Sequence, residues 1–138
     1  DNMKLVGKLS IAINDEVVQE VNNLVVTTGK NFVASRIKDA TASAMSHMAI
    51  GTGSTSPAAG DTALGNESAR VALTSTTVTN ADVAYVASFG AGTGTGAITE
   101  AGLFNASSSG TLFCRTTFSV VNKGADDSMT ITWTVTVS

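Results

Sequence analysis

His47 is the only histidine in the chain, so any Ser-His-Asp triad would have to be built on it. It stands between Ser46 and Met48 in a short apolar run, residues 45–50, that reads as a strand with His47 on its polar side. Cys114, the only cysteine, occupies an apolar position of an alternating run, where a free thiol packs as a small hydrophobe. A nucleophilic thiol would need accessible, electropositive surroundings, and a single cysteine excludes both an intrachain disulfide and a Cys-based metal framework. Asp126 and Asp127 are adjacent and could gather around a calcium ion with Asp82 or Asp61. Their spacing is not that of an EF-hand loop, and solvated turn acids are the better reading.

Glu100 is the most unusual charge, because it lies between Ile98 and Leu103 in an otherwise apolar strand. Arg115 or Arg70 is its natural partner, either within the subunit or across an interface. The glycine-rich segments contain neither GxGxxG nor GxxxxGK[ST]. The run GTGTGA from Gly92 meets only the looser form ending in Ala and opens no helix. Asn66 and Asn105 each begin an N-x-[ST] triplet, a pattern frequent by chance that matters only on a secretory route. No catalytic set, metal ligand set or cofactor cradle emerges, and enzyme is the least expected class.

The elements that would carry these residues are mostly strands. Residues 128–137 place Met129, Ile131, Trp133, Val135 and Val137 on one face and four threonines on the other, the period of a strand with one dry side. Residues 3–13 alternate similarly, with Gly7 read as a bulge, and 17–21 return as a hairpin after the turn at Asn14 and Asp15. Residues 24–26 form a further apolar run that either continues that arm or buries it on both faces. One helix is expected over 30–38, with Phe32, Val33 and Ile37 on a shared face and Thr28 as cap. After the loop 51–60, which holds Pro57, a helical turn at 61–64 and a long strand over 68–79 follow. Residues 82–89, 97–104 and 112–121 alternate as further strands, with the glycine loop 90–96 flexible or tightly turned. The count is about eight strands and one short α-helix, which predicts a mainly β, antiparallel β-sandwich, jelly-roll-like or immunoglobulin-like, as a single domain over 1–138.

Composition narrows the partners. The 138 residues are 43% hydrophobic but only 14% charged, so the surface must be built from Thr, Ser, Ala, Asn and Gly. Such a surface is weakly protected against association and suits a protein covered by other subunits, although a small polar β-domain without partners would look similar. A net charge of −3 with no basic run disfavours nucleic acid. No apolar run approaches the ~18 residues of a membrane span, and nothing at the start reads as a signal peptide. Folding in a reducing cytosol is compatible with the lone cysteine.

Three stretches together carry a resemblance: NLVVTTGKNFVASRI (23–37), SHMAIGTGSTSPAAGDTALGNESARVAL (46–73) and GAITEAGLFNASSSGTLFCRTTFSVVNKGADDSMTITWTVTVS (96–138). With MAIGTG, AAGDTALG, EAGLF and the closing TITWT, the chain resembles a family of small tailed-bacteriophage virion proteins. The resemblance implies a non-enzymatic structural protein without cofactors, made in the host cytoplasm and placed on the phage particle surface. It implies a capsid decoration (cement) protein that binds the major capsid protein as a homotrimer and opposes the pressure of packaged DNA. The alternative is a tail or tail-fibre component that binds the host surface. Candidate interface residues are Glu100 and Arg115, the loop residues Gly51, Gly53, Pro57, Gly92 and Gly94, and Thr132 on the threonine face.

Overall fold

The structure, a computed structural model, describes residues 3–138. It is an antiparallel β-sandwich of ten strands and one helix. In chain order these are β1 (Leu5–Ile13), β2 (Glu16–Asn22), β3 (Leu24–Val25), α1 (Thr27–Lys38), β4 (His47–Gly51), β5 (Glu67–Ala72), β6 (Ser75–Thr79), β7 (Asp82–Phe89), β8 (Gly96–Phe104), β9 (Leu112–Lys123) and β10 (Met129–Val137). The first sheet has the order β2-β1-β10-β7-β6 and the second β3-β9-β8-β4-β5.

The last strand lies at the centre of the first sheet. It pairs with β1 from Leu5↔Val137 to Ile13↔Met129 and with β7 from Met129↔Phe89 to Thr136↔Asp82. Met129, Ile131, Trp133 and Val135 point into the core, where they meet Met48, Ile98 and Leu103 of the second sheet. Trp133 is fully buried, and burial pushes the neighbouring Tyr85 hydroxyl up to about 12.

Residues 68–79 do not form one strand. Leu73 donates its N–H to the Ser46 carbonyl beside the second sheet, and Thr74 donates to Val86 in the first. The chain therefore changes sheets between them, leaving β5 and β6 on opposite layers. Alternation alone cannot show such a crossing, because the period of two is the same in either sheet.

The helix starts earlier than its apolar pattern indicates, and Thr28 is not its cap. Val26 holds the cap position with no side-chain bond, while the Thr28 hydroxyl donates to the Leu112 carbonyl at 2.7 Å. Gly29 brings the helix onto β9: a Cβ there would lie 2.0 Å from the Phe113 carbonyl oxygen. Phe32 packs against Phe113 with the rings tilted by 53° and their centroids 5.5 Å apart, but Ile37 is 77% exposed rather than packed with Phe32.

Gly7 is not a bulge either. The pairing irregularity lies between Ile11 and Ala12, and Gly7 is instead the position over which the Asn23 side chain lies. Residues 61–64 form no helical turn. They belong to the loop 52–66, which folds over the outer face of the second sheet and seats Leu64 in a small cluster with Val26, Ala49, Phe104 and Leu112.

Candidate functional site

The best-built polar constellation lies beneath that loop. Register shifts in the β8–β9 pairing place Glu100 and Arg115 on the loop-covered face, where Glu100 is 0% and Arg115 2% exposed. Arg115 donates from Nε and Nη2 to Glu100 Oε1, at 3.3 and 2.9 Å, and from Nη1 to Asp61 Oδ2 at 2.9 Å. Its Nη2 also donates to the Thr55 carbonyl at 2.9 Å. Three backbone N–H groups complete the carboxylate shell: Gly65 donates to Oε1, and Gly53 and Asn66 to Oε2, each at 2.7 Å.

Burial by itself would raise the Glu100 pKa. The N–H groups of Asn66 and Gly65, the Arg115 guanidinium and the Gly53 N–H outweigh it and hold the carboxyl below its ordinary value. Such a group stays ionised and does not cycle protons at neutral pH, as a general acid or base must. The arrangement fixes loop 52–66 to β8 and β9. Asp61 also accepts from the Ala58 N–H, the Asn66 amide donates to the Thr52 hydroxyl, and the Thr99 hydroxyl donates to the Gly53 carbonyl.

The structure resolves which arginine serves Glu100. Arg70 instead pairs with Glu67 at 2.7 Å and lies over the Phe104 ring, 3.7 Å from its centroid. Glu100 and Arg115 therefore pair within the subunit and away from its outer surface. Gly51 and Gly53 serve the same centre. A Cβ on Gly51 would lie 2.3 Å from the Asn66 carbonyl oxygen and 2.7 Å from Glu100 Oε2, and one on Gly53 would lie 2.4 Å from Glu100 Oε2. Their close backbone approach is thus to a carboxylate of their own chain. Nothing local in the sequence marks Asp61, Gly65 and Asn66 as members of this site; its one pointer there is the lone charge of Glu100 between apolar neighbours.

The remaining candidates lie elsewhere. Pro57 is half-buried within the pinned loop. Gly92 and Gly94 adopt positive φ, +80 and +68, in a tight turn where the Gly92 N–H donates to Ala125 and the Thr93 N–H to Gly90. The Lys123 ammonium, almost fully buried, donates to the Gly90 carbonyl at 2.8 Å and ties that turn to β9. Asp127 accepts from the Asn14 amide and the Gly124 N–H, which hold it below its ordinary pKa, while Asp82 accepts from the Thr136 hydroxyl. Asp61, Asp82 and Asp127 are thus committed to separate partners. Among the described residues no three His, Cys, Asp or Glu side chains gather as a metal site. His47 is half-buried with Nδ1 2.8 Å from the Ser46 hydroxyl, and Cys114 is fully buried, which pushes its thiol pKa well up.

Thr132 is exposed at the middle of the first sheet's outer face, between Ser10 of β1 and Val86 of β7. The adjacent rows are Lys8–Thr134–Ala84 and Ala12–Thr130–Ser88, and Val6–Thr136–Asp82 lies beyond the first of them. A shallow depression of about 490 Å³ runs along the β2, β1 and β10 part of this face. Its one ion pair, Lys8 with Glu20 at 4.0 Å, is solvent-exposed and lies toward the β2 margin. No protein-family model, curated protein or solved structure matches this chain.

Proposed function

We propose that this chain is a non-enzymatic structural protein of a tailed-phage particle, a decoration protein that binds the assembled head. The observation that carries the proposal is the outer face of the first sheet, five strands wide and covered mainly by Thr, Ser, Ala and Val. Uncharged β-branched side chains on a paired sheet form a stiff surface with little charge to desolvate, suited to broad contact with a protein shell. The inward use of Glu100 and Arg115 supports the same reading, since the strongest polar chemistry of the chain is spent on fixing a loop. Stabilisation then follows by mass action, from many weak copies bound to the assembled shell and not to its free subunits. The homotrimer and the major capsid protein as partner are what the family resemblance adds.

Quantitative mass spectrometry and electron microscopy of purified particles test the proposal. Copies in the hundreds on the head are expected; a few copies at the tail would favour the tail-fibre alternative, and absence from the particle would overturn both. Thr132→Lys should leave the fold intact and reduce incorporation, and normal incorporation of that variant would remove the outer face from the argument.

A further inference from the structure

The four lateral edges of the two sheets are not equally protected. β2 carries Glu16 and Glu20, β3 is two residues long, and β5 carries Glu67 and Arg70. β6, Ser75–Thr79, is exposed at every residue and has no charge and no proline, and its pairing with β7 runs without a register shift. Natural sheets blunt an edge by charge, proline, bulges or shortness, because a bare edge is a template for another strand.

The geometry of the hairpin says which groups are free. Thr79 and Asp82 flank the two-residue turn Asn80-Ala81 and form a hydrogen-bonded pair. Counting back, Thr77 and Ser75 also turn their backbone groups toward β7, opposite Ala84 and Val86. Thr76 and Val78 therefore direct their N–H and C=O groups outward. An antiparallel copy of the same strand, with Thr77 on a two-fold axis, pairs Thr76 with Val78 of the second copy and Val78 with Thr76. Those two pairs use all four outward groups of each copy and leave none over. Ser75 then faces Thr79, so no like charges meet.

The side chains fit the same arrangement. Thr76 and Val78 sit on the inner-facing side of β6 and line an apolar cleft of about 500 Å³ between the first sheet and α1, together with Val33, Ile37 and Val83. Val78 is 69% and Ile37 77% exposed there. A paired strand continues this wall with its own Thr76 and Val78 and draws both copies of Val78 out of water.

We propose that β6 is a homodimerisation strand that joins the first sheets of two copies into one ten-stranded sheet across a two-fold axis at Thr77. The contact goes beyond the decoration reading and holds wherever the protein sits in a particle.

Four variants test it in solution. Wild-type protein should associate as concentration rises, by light scattering. Val78→Pro, which removes an outward N–H that β7 does not use, should lose that association with an unchanged far-ultraviolet spectrum. Val78→Lys should do the same and stands in if the proline variant misfolds. In Thr77→Cys the two thiols lie across a non-hydrogen-bonded pair, with Cα atoms roughly 4.5 Å apart, within disulfide reach. Mild oxidation should give a two-chain band from Thr77→Cys faster than from Thr79→Cys, while buried Cys114 takes no part. A wild type that stays monomeric at high concentration would overturn the proposal and leave the edge to a strand of another protein. Association that persists in both Val78 variants, or equal cross-linking of the two cysteine variants, would also overturn it.

Discussion

Glu100→Gln removes one charge and almost no volume, which isolates the electrostatic role of the buried centre. In the native chain both carboxylate oxygens accept only from donors: Oε1 from Gly65 and Arg115, Oε2 from Gly53 and Asn66. A glutamine must turn its NH₂ toward one of these sets, so two or more buried donors lose their acceptor, and Arg115, 2% exposed, loses its innermost counter-charge. Breaking one side of a buried ion pair costs about 3–5 kcal/mol. For a domain of this size, that lowers the melting temperature by roughly 10–20 °C. Differential scanning calorimetry at pH 7 measures it. Amide exchange at Gly53, Gly65 and Asn66 should accelerate with it, because these N–H groups lose their acceptor.

The pH dependence adds a second readout. Because the folded Glu100 pKa lies below its ordinary value of 4.5, its contribution is complete above that value and is lost as pH falls through the lower folded value. The wild type should therefore lose stability steeply on acidification below about pH 4.5, and the glutamine variant less so. A melting temperature within about 2 °C of wild type would refute the reasoning, since a buried, five-bonded carboxylate cannot be replaced so cheaply.

Further expectations follow from burial and close approach. Trp133→Ala empties the centre of the core and should cost about 3–5 kcal/mol by denaturant titration. Gly53→Ala drives a methyl group to 2.4 Å from Glu100 Oε2 and should cost roughly 1–3 kcal/mol, whereas Gly60→Ala, with no atom within 4 Å of the added carbon, should be nearly neutral. Both are read from paired thermal melts. Cys114 should resist thiol reagents in the native state and label at the rate of unfolding, because it is fully buried and its thiol is held protonated. Rapid labelling of folded protein would place it outside the core.

Much of the fold was legible because a strand with one dry face writes its period into the chain. The alternation of Met129 to Val137 predicted both an inward Trp133 and an outward Thr132, and the structure has both. Legibility failed where local pattern and tertiary choice separate. Phe32, Val33 and Ile37 share a helical spacing, but the cleft beside β6 leaves Ile37 in water. Thr28 is a good cap by type, yet the Leu112 carbonyl lies within its reach and takes the hydroxyl.

Periodicity, composition and one stranded charge were thus enough to determine a charge-poor β-sandwich with Trp133 in its core and an acid at position 100 in need of a partner. Only the tertiary structure decided that the partner is Arg115 rather than Arg70, that three N–H groups of a distant loop complete its shell, and that Gly51 and Gly53 make room for the carboxylate. It also decided that 68–79 divides between two sheets and leaves β6 as a bare edge. The physical reason is common to all of these. Alternation reports which side of a strand faces water, and a single charge reports that burial must be compensated. Neither specifies which strand lies alongside which, and hydrogen-bond partners follow from that neighbourhood.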